Sequence, residues 1–248
     1  MGLRGKTAVV TGASAGIGAA IARTLADEGA RVVGGARRVG RVTELGEGIA
    51  ALELDVTDPR SCERFVDAAV EELGGLDILV NNAGIALGRD PFWDSSEEDE
   101  EAVLETNLQG LIRMTRLCLA HLHDGGHIVN MGSVAGRQAY EKGALYITSK
   151  FAVRGFTYAL REDLLGRPIH LTTVDPGLVG GTEFSKVRFR GDDEAARRVY
   201  EDVEPLTAED VADCVVFALT RPNHVNVDEI VVKALAQSSA TRIVRAGA

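Results

Sequence analysis

The chain has 248 residues, 45% of them hydrophobic, with a formal net charge of −10 and three cysteines. That apolar supply suits one large α/β domain, and no Pro-rich or Ser/Gly-rich linker and no internal repeat divides it, so residues 1–248 are expected to form a single domain. The acidic balance excludes nucleic acid as a partner, which needs a basic stripe, and no apolar run is long enough to cross a bilayer.

In chain order, residues 7–10 read as a strand that starts directly after Lys6. With no signal peptide ahead of it, the expected compartment is the cytoplasm. Residues 17–28 read as a helix ended by Gly29 at its C′ position. Strands follow at 31–35 and 51–55, then a helix at 61–73 that stops at Gly74-Gly75, and a strand at 78–81. A long helix is expected over about 100–123. Ser95-Ser96 before it forms a cap, and the acidic cluster Glu97-Glu98-Asp99-Glu100-Glu101 complements the helix dipole, so a solvated helix start explains it better than a metal site. Next come a strand at 127–131, a helix at about 146–165, a strand at 170–174, a helix at 207–220 and a last strand at 230–233. Cys62, Cys118 and Cys214 fall on helices, too far apart for a CxxC pair, and read as small buried hydrophobes; neither a metal site nor a disulfide framework is expected. Alternation of strands and helices predicts an α/β fold: a doubly wound Rossmann-type domain with a seven-stranded, mostly parallel sheet and helices on both faces. Ligands of such sheets bind at the carboxyl ends of the strands.

The first strand is followed by Thr11-Gly12-Ala13-Ser14-Ala15-Gly16-Ile17-Gly18, a G-x3-G-x-G turn. Gly12 allows the tight turn, Gly16 lets backbone approach a pyrophosphate, and Gly18 lets the helix pack closely on the strand. The helix N-terminus at Ile17 offers free N–H groups to phosphate. A sharp loop without ligand is the plain alternative for a glycine turn alone; its place between a strand and an amphipathic helix favours a dinucleotide. The second strand ends in Ala36-Arg37-Arg38. An NAD site usually carries Asp or Glu at this strand end, whereas Ala36 removes that acid and Arg37 supplies a fork of donors for a 2′-phosphate, which points to NADP(H). Arg38 helps or stacks on adenine, or both arginines are plain surface residues. Asp55 either contacts the adenine or caps its own turn.

Tyr146-Ile147-Thr148-Ser149-Lys150 places Tyr and Lys four residues apart, on one helix face. A free phenol has a pKa of about 10; a neighbouring ammonium together with an oxidised nicotinamide would lower it and make the pair a proton relay for alcohol oxidation or carbonyl reduction. Ser133, after the fifth strand, sits at the same sheet edge and can hydrogen-bond the substrate oxygen.

These residues, with Asn81-Asn82-Ala83-Gly84, Asn107, Gly132-Ser133 and Pro176-Gly177 in order and spacing, resemble the short-chain dehydrogenase/reductase family over nearly the whole chain. The resemblance implies that Tyr146 is the acid/base, that Ser133 orients the reacting oxygen, and that Lys150 also holds the nicotinamide ribose. Asn107 would position a water linking Lys150 to solvent. The implied cofactor contacts are Gly12, Ser14, Gly16, Ile17, Gly18, Arg37, Arg38, Asp55, Val56, Asn82, Ala83, Gly84, Tyr146, Lys150, Pro176, Gly177 and Val179, with Asn81 shaping the pocket beside the central strands. There are departures: the second hydroxyl residue usual in the glycine turn is Ala15, no basic residue stands there, and the stretch 137–143 is unusually charged.

The C-terminal third is similar to the NADP-dependent 3-hydroxy acid dehydrogenases, which include serine and allo-threonine dehydrogenases and a malonic semialdehyde reductase. That implies a small 3-hydroxy acid or 3-oxo acid as substrate; clavulanate-type aldehyde reductases and ketosteroid reductases are the neighbouring alternative. A catalytically silent NADP-binding regulator would have no need of the Ser133, Tyr146, Lys150 and Asn107 set. A substrate lid is expected over about 177–205. If 188–190 is extended, Arg188 and Arg190 point the same way and can meet a substrate carboxylate; otherwise they face solvent or pair with Asp192 and Asp193. The resemblance also implies a homotetramer, joined through the helices near 100–123 and 146–165, unless Leu117, Phe151 and Phe156 pack only within the subunit.

Overall fold

The first β-branched run, β1 (Thr7–Thr11), is buried along its whole length, as a parallel strand covered on both faces must be. In the computed structural model, which describes residues 2–246, it is joined by β2 (Arg31–Ala36), β3 (Ile49–Glu53), β4 (Leu76–Asn81), β5 (Leu122–Met131), β6 (His170–Pro176) and β7 (Glu229–Val232). The seven strands lie in the order β3-β2-β1-β4-β5-β6-β7. Every pairing is parallel, so the sheet is wholly rather than mostly parallel. The chain reverses its direction of winding between β1 and β4, and there a crevice opens at the carboxyl ends of the strands.

Alternate residues of each strand feed two cores. Val10, Val32, Val80, Val129 and Val174 pack with Ile21 and Leu25 of α1 (Gly16–Asp27) and with Val211 and Val215 of α9 (Ala208–Leu219). Their neighbours Val9, Val33, Leu79, Ile128 and Leu171 pack with Phe65 of α3 (Pro59–Leu73) and with Met114 and Cys118 of α5 (Gly110–Leu119). Leu160 of α6 (Ala144–Asp163) joins this second core. Asp58 caps α3 by accepting the Arg60 N–H, and Thr207 and Asp210 form a capping box on α9.

The elements depart from expectation in three places. β3 starts and ends two residues earlier than 51–55, which leaves Asp55 in the following turn. The expected helix over 100–123 is broken into α4 (Glu97–Leu104), a π turn (Glu105–Gln109) and α5; Ser96 caps α4 by accepting the Asp99 N–H. Residues from Leu122 onward have already joined β5, because pairing to β4 overrides a helical apolar pattern. The short helices α2 (Val39–Thr43), α7 (Phe184–Arg188) and α8 (Asp193–Arg198) are too brief to leave a periodic signal.

Candidate active site

At the end of β1, Gly12 has φ +69°, a left-handed conformation that favours glycine. The turn it starts is stapled to the end of β4. The Thr11 hydroxyl accepts the N–H groups of Asn82 and Ala83, each at 3.0 Å. The Asn82 amide donates to the carbonyls of Thr11 at 2.9 Å and Gly12 at 3.3 Å. A Cβ on Gly18 would stand 2.3 Å from the Asn82 amide nitrogen and 2.4 Å from the Gly12 oxygen. The first turn of α1 therefore packs against the stapled loop itself, and no residue larger than glycine fits. That helix start has no side-chain cap and no acidic residue, so its N–H groups remain available to an anion.

Ala36 closes β2 and is buried, while Arg37 and Arg38 are exposed. Their surroundings differ. Arg38 donates to Glu183 at 2.6 Å and to the Ser14 hydroxyl at 3.3 Å, and Arg41 takes the other Glu183 oxygen at 2.6 Å. These two cations hold the Glu183 carboxyl down to about 2. Arg37 has no ion pair among the described residues; it adds to the pull that keeps the Asp55 carboxyl low against the opposing effect of burial. Asp55 accepts the N–H of Thr57 at 3.0 Å and its hydroxyl at 2.7 Å, so it caps its own turn.

Tyr146 and Lys150 stand on the first turns of α6, and the Lys150 ammonium lies 5.8 Å from the Tyr146 ring centre. Lys150 Nζ donates to the Met131 carbonyl at 2.8 Å. Burial lowers the Lys150 ammonium to about 8, against an upward pull from Asp175. The protein packed around Tyr146 pushes its phenol up to about 12, while a hydrogen bond with Ser133 and the charge of Arg188 pull the other way. Desolvation outweighs these pulls in the protein alone, whereas the expected lowering combines the Lys150 ammonium with an oxidised nicotinamide. Ser133 accepts the Ala135 N–H at 3.1 Å, which orients its oxygen and leaves its own proton to donate.

Asp175 was not foreseen, although it precedes Pro176-Gly177. It is 2% exposed and accepts the Ser133 N–H at 3.1 Å and Arg137 Nε at 2.6 Å. Arg137 also meets Glu229 at 2.6 Å, and Arg154 and Tyr158 reach the same carboxylate at 3.1 and 2.6 Å. Arg137, one of the charges noted in 137–143, therefore braces the strand ends beneath Ser133.

Two expected roles need correction. Asn81 does not line the cleft: its side chain is buried beneath α5, donating to Thr115 at 2.8 Å and Asn130 at 2.9 Å. Arg188 and Arg190 do not point the same way, because Arg188 ends α7 and Arg190 takes φ +52°. Arg190 pairs with Asp99, and neither arginine forms an ion pair with Asp192 or Asp193 among the described residues. Asn107 is 1% exposed, in the π turn. Its amide makes two bonds with the Ile85 backbone, at 2.7 and 2.8 Å, and one to Ser149 at 3.0 Å. Both amide protons are used in positioning these elements, while the amide oxygen keeps a second acceptor site.

The segment after Pro176 folds over the sheet edge. Phe184 meets the Tyr146 ring edge-on, with centres 5.6 Å apart, and the Gly88 N–H donates to the Arg188 carbonyl at 3.0 Å. The residues beyond β7, where sequence patterns end, run back over this segment: Gln237 accepts the Leu178 N–H at 2.8 Å, and Arg245 donates to the Glu201 carbonyl.

Between the segment and the strand ends lies one cleft of about 1800 Å³. Gly12, Ser14, Gly16, Ile17, Gly18, Arg37, Arg38, Asp55, Val56, Asn82, Ala83, Gly84, Ser133, Tyr146, Lys150, Pro176, Gly177 and Val179 all line it. Asn107 lies behind the wall. Among the described residues no group of His, Cys, Asp or Glu is placed to hold a metal ion, and no helix is long and apolar enough to cross a membrane. The profile of the short chain dehydrogenase family matches residues 6–193. The chain is 42% identical to an NADP-dependent 3-hydroxy acid dehydrogenase, YdfG, of Salmonella typhi, over 94% of this chain and 96% of that protein. It is 39% identical to an NADP-dependent 3-hydroxy acid dehydrogenase of Schizosaccharomyces pombe, over 98% of both. Among solved structures, the closed form of serine dehydrogenase complexed with NADP+ is similar with a TM-score of 0.90 and 40% identity, over 96% of this chain and 99% of that one.

Proposed function

The chain belongs to the short chain dehydrogenase family, and from that premise we propose that it is an NADP-dependent oxidoreductase that interconverts a small 3-hydroxy acid and its 3-oxo acid, with Tyr146 as acid and base. The observation that carries this is the meeting of Ser133, Tyr146 and Lys150 in the same cleft as the glycine turn. The named relatives, 42% and 39% identical, support the substrate class.

The residues present fit the dinucleotide. The uncapped start of α1, with Gly12, Ser14, Gly16, Ile17 and Gly18, would hold the pyrophosphate. Arg37 would hold the 2′-phosphate, with Arg38 beside it. Asp55, Val56, Asn82, Ala83 and Gly84 would border the adenosine side, Pro176, Gly177 and Val179 the nicotinamide, and Lys150 the ribose. The bound cofactor accepts or returns the hydride. In oxidation Tyr146 takes the proton of the substrate hydroxyl and passes it to solvent; in reduction it returns a proton to the carbonyl oxygen. The Ser133 hydroxyl donates to that oxygen, and Asp175 fixes Ser133 through its backbone N–H. Lys150, charged below about pH 8, favours the phenolate electrostatically.

As part of the same reading, residues 1–248 are one domain, 177–205 are its lid, and the enzyme is a cytoplasmic homotetramer. The exposed Phe151 and Tyr158 of α6 suit a subunit contact, and three cysteines free of disulfides suit a reducing compartment.

The test follows NADPH absorbance with a panel of hydroxy acids and plain alcohols. Tyr146→Phe should lower turnover at least about 100-fold with cofactor affinity nearly unchanged, whereas Lys150→Ala should impair both. Retention of most activity in Tyr146→Phe would assign the proton to another group.

A further inference from the structure

Arg188 is the one cation of the lid that turns inward beside the reacting groups. Its guanidinium carbon lies 5.6 Å from the Tyr140 ring centre and 5.8 Å from that of Tyr146, within cation–π range of both. Nη1 donates to the Tyr140 hydroxyl at 3.2 Å and Nε faces the Gly88 carbonyl at 3.5 Å. The Gly88 N–H returns a bond to the Arg188 carbonyl at 3.0 Å. The side chain is thus fixed at its stem and at two of its nitrogens. The third nitrogen, Nη2, is buried and has no hydrogen-bond partner, and no carboxylate pairs with Arg188 among the described residues. Arg188 as a whole is half-buried, but a covered donor nitrogen without a partner is costly unless a ligand supplies the acceptor. Arg188 and Tyr140 line the same cleft as Ser133, Tyr146 and Lys150.

We propose that Arg188, held by Tyr140 and Gly88, is the carboxylate-recognising residue of this enzyme, and that it selects short acids in which the carboxylate lies a few bonds from the reacting carbon. The assignment rests on the hydride-transfer reading above. One end of the substrate meets Tyr146 and Ser133, and the guanidinium that packs on the Tyr146 ring reaches the other. A substrate bridging groups so close is short. The carboxylate takes no part in the chemistry: oxidation breaks the C–H and O–H bonds at the hydroxyl carbon, sending the hydride to NADP+ and the proton to Tyr146.

The experiment compares 3-hydroxypropanoate with its methyl ester, at saturating NADP+, on wild type, Arg188→Met, Arg188→Lys, Tyr140→Phe and Arg190→Ala. Wild type should favour the acid, and Arg188→Met should lower kcat/KM for the acid roughly 10- to 100-fold, mainly through KM, with the ester little changed. Arg188→Lys should recover part of the loss, Tyr140→Phe should lose a smaller part, and Arg190→Ala should keep the wild-type ratio. Malonate, a dicarboxylate without a reacting hydroxyl, should compete with the ester in wild type and not in Arg188→Met. An equal fall for acid and ester in Arg188→Met would make the residue a structural part of the lid and overturn the proposal. A wild-type enzyme that oxidises acid and ester alike would overturn it while leaving hydride transfer intact. Wild type that oxidises neither, yet reduces unrelated carbonyls, would overturn the 3-hydroxy acid reading as well.

Discussion

Arg37 and Arg38 are neighbours in sequence with different surroundings. Arg38 is tied to Glu183, whereas Arg37 carries the free guanidinium beside Ala36. Arg37→Ala should therefore weaken NADP+ binding roughly 10- to 100-fold, the value of a charge-assisted hydrogen bond, with NAD+ affinity nearly unchanged. Fluorescence titration with both cofactors checks this; equal losses would mean that Arg37 does not read the 2′-phosphate. Tyr146 gives a second prediction at this scale. Burial raises its phenol to about 12, so the group stays protonated throughout the neutral range. The difference in phenolate absorbance between wild type and Tyr146→Phe should then be negligible below about pH 10 without cofactor. Binding of NADP+ brings positive charge toward the phenol and should move that transition to lower pH. A phenolate signal near neutrality in the free enzyme would show that Lys150 alone outweighs desolvation.

Among the elements, α1 and α9 pack on the same core but serve different ends. A methyl group at Gly18 would collide with Asn82 and the Gly12 carbonyl. Gly18→Ala should cost about 1–3 kcal/mol and, because it distorts the phosphate turn, should weaken NADP+ binding too. The side chains of the α9 capping box, Thr207 and Asp210, do not line the cleft. Thr207→Ala should cost about 0.5–2 kcal/mol and leave NADP+ affinity unchanged. Urea unfolding paired with cofactor titration separates the two; a Thr207→Ala variant that lost cofactor affinity would show that α9 supports the cleft directly. The break at Asn107 has the same logic. A continuous helix would carry that side chain past Ile85 and Ser149, and the π turn brings it to both.

For the whole molecule, His127 makes stability sensitive to acid. It is 6% exposed, in the middle of the sheet, and burial, with smaller effects from His170 and Arg161, lowers its imidazole to about 3. Thr172 gives its hydroxyl proton to the Val227 carbonyl at 2.6 Å, so in its 2.7 Å bond with His127 Nε2 it accepts, and the ring is neutral with its proton on Nε2. A folded value below the unfolded one means that stability is full above about pH 6.5 and is lost as pH falls toward 3. At pH 5 the loss from this residue should be about 2 kcal/mol relative to pH 7.5. Denaturant unfolding at the two pH values checks it, and His127→Gln, which keeps a donor toward Thr172, should flatten the decline. A homotetramer would give a light-scattering mass four times that of the chain, whereas a single-chain mass would leave Phe151 of α6 facing water.

The order of strands and helices, the glycine turn, the missing acid at Ala36 and the Tyr146/Lys150 pair were all legible in the sequence, because each is a local pattern whose spacing alone carries the physics. Asp175, Arg137, Tyr140 and Glu183 were not, since their partners lie between 38 and 145 residues away in the chain. Arg188 and Arg190 show the difference most sharply. An extended stretch would have paired them, but the end of α7 turns one inward and a left-handed residue sends the other to Asp99. Local sequence sets which residues can bind an anion or move a proton. Only the packed fold, by burying some of those groups and giving others a partner, decides which of them remain free to do so and shifts the phenol of Tyr146 away from its ordinary value.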